Sequence, residues 1–107
     1  MKEMNEAQLL EACDTAGSPL AVFFYTPLCG TCGAARRMLE VAEHLLPPEV
    51  VVAAGNVNQL PGLVARYRIS SVPALLVVSA DRGAEPDIYY SMVSVERMLE
   101  YIRSVTS

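Results

Sequence analysis

An α/β sandwich built on a mixed sheet of about four strands is the fold this sequence predicts, and three observations carry the prediction. Leu20–Tyr25, Val50–Ala54 and Ala74–Ser79 are continuous apolar runs without alternation, as strands buried on both faces require. Between them lie segments whose apolar residues recur at helical spacing, so strands and helices alternate along the chain. A turn over Ala80–Asp87, with Asp81, Gly83 and Pro86, then leads into Ile88–Val93 and reads as a closing hairpin. The buried runs are expected to pair in parallel, with the hairpin making the sheet mixed. At 107 residues, a single domain over residues 1–107 is expected.

Each element has its own local signals. Asn5 suits a helix N-cap, with Gln8 completing a capping box and Met4 placed to pack on Leu9 as a staple. Leu9, Ala12, Cys13 and Ala16 then mark one apolar stripe, and Gly17 is a stop signal. Cys13 is therefore expected to be a small buried hydrophobe rather than a third redox thiol. After the Leu20–Tyr25 strand, a second helix is expected from about Gly30 to Leu46, closed by Pro47-Pro48. Its stripe is Ala35, Met38, Leu39, Ala42, Leu45 and Leu46, with Arg36, Arg37, Glu40, Glu43 and His44 on the other side. Strand, helix and the strand Val50–Ala54 in this order imply a right-handed crossover. Pro61 suits the first turn of a short helix over Leu60–Tyr67. Ser94 is placed to cap a last helix that buries Val95, Met98, Leu99 and Ile102.

Composition removes several functional classes. Apolar residues make up 52% of the chain and charged residues 19%, which places it among globular rather than disordered chains. A net charge of −4, with Lys2 the only lysine and no basic run interleaved with aromatics, argues against nucleic acid as a partner. No segment suits membrane spanning or export, so a cytoplasmic location without a membrane partner is expected. In that reducing compartment three cysteines point to redox or metal chemistry rather than to a structural framework.

The chemistry converges on Phe23-Phe24-Tyr25-Thr26-Pro27-Leu28-Cys29-Gly30-Thr31-Cys32-Gly33, the end of a buried strand, a bend, and two cysteines entering a helix. Unpaired amides and the dipole at a helix N-terminus stabilise a thiolate on the first cysteine. The second, one turn further in, is close enough to attack a mixed disulfide. Cys29 is thus the candidate nucleophile and Cys32 the candidate resolving thiol, with Gly30 leaving the first thiol uncovered.

A buried strand running into Cys29-Gly30-Thr31-Cys32, a long helix, and Val72-Pro73 ahead of a further strand about 40 residues later resemble the thioredoxin family. The resemblance covers nearly the whole chain, with its core from Leu20 to Ile102. It implies a three-layer sandwich and a thiol–disulfide oxidoreductase with no bound cofactor. It further implies a cis peptide before Pro73, lying against the cysteines, and a Val72 backbone that pairs with an incoming peptide as an added strand. Leu28, Gly30, Thr31, Val72 and Pro73 are then the expected substrate-binding residues. The expected partners are a protein or small-molecule disulfide and, as electron donor, a separate reductase or a low-molecular-weight thiol. The family's usual first strand has no counterpart in Met1–Met4, hence the expectation of four strands.

Departures from the family pattern are informative. The tryptophan usual before the first cysteine is Leu28, and the chain has no Trp. The third motif position is Thr31 rather than proline, and Gly33 replaces the common lysine after the second cysteine. The buried aspartate beneath the cysteines falls at Phe23, and its lysine companion at about Ala54. An apolar floor removes the candidate general base and keeps the Cys32 thiol protonated, so a slower resolving step is expected. Thr31, offering a hydroxyl and an N–H near the thiolate, is expected to make the potential less reducing.

Rival readings remain in view. The pair could hold a partner without turnover, or two subunits could supply four thiolates to zinc or an iron–sulfur cluster. His44, the only histidine, lies twelve residues beyond Cys32, about 18 Å along the helix, too far to share its metal. With no histidine near the Ser and Thr side chains, serine-type hydrolysis is excluded. Gly30 and Gly33 lack the Lys-Ser/Thr that a phosphate loop needs.

Overall fold

The computed structural model describes residues 1–106. In chain order it has β1 (Lys2–Glu3), α1 (Glu6–Asp14), β2 (Leu20–Tyr25), α2 (Cys32–Glu43) and β3 (Val51–Asn56). A short 3₁₀ turn (Val57–Gln59) leads to α3 (Pro61–Tyr67), β4 (Ala74–Val78), β5 (Asp87–Tyr89) and α4 (Val95–Arg103). The strands form one mixed sheet in the order β1-β3-β2-β4-β5. Two helices cover each face, and the absence of alternation in β2 follows from this. Ala21 and Phe23 pack under α2 and α4, whereas Leu20, Val22 and Phe24 pack under α1 and α3. Among the described residues no helix is long and apolar enough to cross a membrane.

The sheet has five strands, not the expected four. Lys2 and Glu3 pair in parallel with Ala53 and Ala54 of β3, and the Met4 amide extends the ladder to the Ala54 carbonyl at 3.0 Å. Both side chains are exposed, so only backbone pairing defines this strand and no apolar run announces it. A second correction concerns β4, which runs antiparallel to β2 rather than parallel. The seven residues of α3 rise only about 10 Å, too little to carry the chain back down the sheet. β4 therefore starts at the end where β3 leaves, and Ala74 pairs with Phe24. That reversal brings Val72-Pro73 beside the loop that follows β2.

Local signals explain most element ends. The Asn5–Gln8 capping box is formed, with both bonds at 2.9 Å, and Met4 and Leu9 share the α1-side core. Ser94 accepts from the Arg97 amide and caps α4. α3 has Pro61 in its first turn and no cap from its own N-cap side chain. The Glu6 carboxylate supplies one from α1, accepting from the Gly62 and Leu63 amides at 2.8 and 3.1 Å. Gly55 allows a close approach, since a Cβ there would lie 2.6 Å from a Leu60 methyl and 2.9 Å from a Leu9 methyl.

Three elements are shorter than expected. α1 ends at Asp14, so Ala16 is exposed; the Arg82 guanidinium closes that end instead, donating to the Ala12, Cys13, Ser18 and Ser79 carbonyls. α2 stops at Glu43, where tighter i→i−3 bonds from His44 and Leu45 precede Pro47, and Leu45 is exposed rather than buried. β5 is confined to Asp87–Tyr89, leaving Val93 exposed.

Candidate active site

Sequence order delivers the two cysteines to one spot. β2 ends at Tyr25, a short bend follows with the Cys29 amide bonded to the Thr26 carbonyl, and α2 begins at Cys32. Cys29 and Cys32 form a disulfide, with their Cα atoms 5.3 Å apart and χ3 at 85°. Cys29 is half-buried, whereas Cys32 is 4% exposed and belongs to the core beneath α2. The outer thiol is thus the accessible one and the inner thiol the sheltered one, as the motif's position on the helix requires.

The other sequence-predicted residues gather around Cys29. Its sulfur lies 3.8 Å from the Val72 carbonyl oxygen and 3.5 Å from the Thr31 hydroxyl. The Val72-Pro73 peptide is cis. Leu28 projects into solvent at 98% exposure, and Gly30 is open, with nothing within 4 Å of a would-be Cβ. Cys13, 6% exposed, packs in the layer under α1 and α3, on the opposite face of the sheet from Cys32. His44 is exposed at the far end of α2. Among the described residues no group of three or more His, Cys, Asp or Glu is placed to hold a metal ion.

Beneath the disulfide, Phe23 is fully buried in the same core as Cys32, and its strand neighbours across the sheet are Ala54 and Leu75. The floor is apolar on both sides of Phe23, so the acid and cation positions of the family pattern are filled together by packing groups. A cleft of about 250 Å³ opens beside it, lined by Phe23, Tyr25, Thr26, Pro27, both cysteines, Gly33 and Arg36.

Glu3, Tyr25 and Arg36 meet here, a grouping that the sequence alone does not announce. Glu3, Ala54, Phe23, Leu75 and Tyr89 form one row across the sheet, so Glu3 points to the α2 face like Phe23. Tyr25, two residues after Phe23, shares that face and stacks on it with ring centroids 6.0 Å apart. The Tyr25 hydroxyl donates to Glu3 Oε2 at 2.6 Å, and Arg36 Nη2 meets Glu3 Oε1 at 3.3 Å. The Arg36 guanidinium also lies over the Tyr25 ring, 5.2 Å from its centroid. Burial, with the Glu3 carboxylate adding to it, pushes the Tyr25 phenol above its usual range. The Cys32/Arg36 spacing of four was the one sequence signal for this group.

The geometry agrees with the comparisons. The thioredoxin family model matches residues 1–104. The thioredoxin-like protein YusE of Bacillus subtilis (strain 168) is 35% identical over 107 residues, covering 100% of this chain and 95% of the relative. A thioredoxin of Rhodospirillum rubrum is 29% identical over 77 residues, 72% of this chain and 74% of its own. Among solved structures, chloroplastic thioredoxin z superposes with a TM-score of 0.86 at 22% identity, over 99% of this chain and 94% of that one. An asparagine-to-glutamine mutant thioredoxin from Halobacterium salinarum NRC-1 gives 0.81 at 18% identity, over 99% and 90%.

Proposed function

The chain belongs to the thioredoxin family, with a C-x-x-C pair at disulfide distance that suits thiol–disulfide oxidoreductase activity, and from that premise we propose that it reduces or exchanges protein disulfides through Cys29 and Cys32. One observation carries the reading: a half-buried Cys29 joined to a sheltered Cys32, with the Val72 carbonyl 3.8 Å from the Cys29 sulfur.

Cys29, as thiolate, attacks one sulfur of a substrate disulfide; that S–S bond breaks and the other sulfur leaves as a thiolate that takes a proton from solvent. Cys32 then gives up its proton and attacks the Cys29 sulfur. The Cys29–Cys32 bond forms, the second substrate sulfur leaves, and two electrons have passed to the substrate. Leu28, Gly30 and Thr31 border the attacking sulfur, and Val72-Pro73 presents backbone to the substrate. No bound cofactor enters the cycle. A separate reductase or a low-molecular-weight thiol returns the dithiol, and a cytoplasmic setting suits that supply. The Thr31 hydroxyl near Cys29 favours its thiolate and hence the dithiol, which makes the disulfide a better oxidant than that of a standard thioredoxin.

A redox titration of the metal-free protein in dithiothreitol and glutathione buffers tests this, with trapped thiols counted by mass. A reversible two-electron transition is expected that is lost in Cys29→Ser and kept in Cys13→Ser. If no Cys29–Cys32 disulfide forms, the enzyme reading fails and metal analysis of the purified protein takes its place.

A further inference from the structure

The cleft beneath the disulfide has one charged lining residue, Arg36, and the exchange chemistry above gives it no task. Arg36 follows Cys32 by four residues, so the two side chains share a face of α2 with Cβ atoms about 5–6 Å apart. Helical side chains lean toward the helix N-terminus, which carries the Arg36 guanidinium over the turn holding Cys32. There it is gripped on two sides, by the Tyr25 ring at 5.2 Å and by the Glu3 carboxylate at 3.3 Å. Tyr25 is tied to the same carboxylate. Partly exposed ion pairs of this kind add little stability. What the arrangement does achieve is a fixed cation at the mouth of a cleft whose floor, Phe23, carries no charge.

We propose that Arg36 is a positioning residue for the second half of the exchange: its clamped guanidinium stabilises the Cys32 thiolate as Cys32 attacks the mixed disulfide on Cys29. The inference rests on the reading that Cys32 resolves. In that step the Cys32 proton passes to solvent through the cleft, the Cys29–Cys32 bond forms, and the substrate sulfur departs with the electron pair of the broken bond. The groups facing Cys32 are few. Cys29 comes from the preceding loop, Tyr25 from β2, and Arg36 from α2, with Arg37 against Gly33 on the outer side and Glu3 of β1 behind Arg36. β3 and β4 contribute Ala54 and Leu75, and α4 contributes Met98 and Leu99, while its Glu96, Arg97, Glu100 and Arg103 are exposed. In the mixed disulfide Cys29 no longer titrates, and Tyr25 is held above its usual range. The pH midpoint of the resolution step therefore reports Cys32.

Mixing the reduced protein with a neutral dipyridyl disulfide in a stopped-flow instrument separates the two halves. The first pyridinethione released reports attack by Cys29, and the second reports resolution by Cys32. Arg36→Gln is expected to raise the pH midpoint of the second phase by about one unit and leave the first phase in place. A thiolate of higher pKa is also more nucleophilic, so the second phase near neutral pH slows only about threefold. Arg36→Lys keeps most of the wild-type profile. Glu3→Gln removes the opposing charge and moves the midpoint the other way, whereas mere breakage of the Glu3–Arg36 pair would move both variants alike. An unmoved midpoint in Arg36→Gln, or shifts of the same sign in both variants, overturns the proposal while the exchange reading stands. A Cys32→Ser variant that keeps both phases overturns the exchange reading itself.

Discussion

Placing aspartate at position 23 returns a carboxyl group to the floor beneath the cysteines, and the structure sets both its cost and its benefit. Phe23 is fully buried, stacked on Tyr25 and packed in one core with Cys32, Ala54 and Leu75. Truncating a phenylalanine in such a site costs about 3–5 kcal/mol, and an unpartnered polar group adds to that. A domain of this size has about 5–15 kcal/mol in total, so Phe23→Asp should forfeit roughly a fifth of its stability or more. Urea unfolding would read this as a midpoint shift at nearly constant slope. The benefit is kinetic. Desolvation holds the new carboxyl's pKa high, near the working pH, where it can take the Cys32 proton through the cleft. Positioned acid–base groups contribute roughly 10²–10⁴-fold, and about tenfold is expected here, because the walls remain apolar. Adding Ala54→Lys places a cation directly across the strand pairing from position 23 and should recover part of the lost stability. The assay is the second, Cys32-dependent phase of disulfide exchange, measured on variants shown to be folded. A resolving rate that is unchanged or slower in folded Phe23→Asp would refute Phe23 as the functional departure, and a stability loss below about 1 kcal/mol would refute the packing argument.

Three further outcomes follow from other contacts. Thr31→Val removes the hydroxyl 3.5 Å from the Cys29 sulfur and should leave the Cys29 thiolate less favoured; a redox titration would then show a more reducing disulfide. Arg82→Met deletes four donors to the α1 end and the neighbouring loops and should cost about 2–3 kcal/mol by urea unfolding, without changing the potential. At high pH, burial, with the Cys13 thiol beside it, pushes the Tyr67 phenol up to about 12, against about 10 in the unfolded chain. Because the neutral phenol is the favoured folded form, its contribution is complete below about pH 10 and is lost as pH rises through about 12. Tyr67→Phe should flatten the stability profile across that window.

What the sequence disclosed and what it withheld divide along one physical line. The inner strands were legible because burial on both faces leaves a continuous apolar run, and the cysteine pair because its geometry is local to one helix turn. β4's direction was not legible, since it is decided by the length of α3 and not by Ala74–Val78 itself. β1 was missed because two charged, exposed residues announce nothing until the edge of β3 pairs with their backbone. The edge strand and the charge cluster are one feature of the fold. Pairing Glu3 with Ala54 puts its carboxylate in the same cross-sheet row as Phe23, and only this row lets it reach Tyr25 and Arg36. From the residues alone, the apolar floor at Phe23 and the apparent lack of a first strand look unrelated. With the strand present, they connect. Charge has been withdrawn from the floor at Phe23 and Ala54 and set at the cleft mouth, on Arg36, where water screens it and its desolvation cost is small. An apolar floor stabilises the fold and leaves Cys32 short of help; a cation held by the edge strand supplies that help from outside the core.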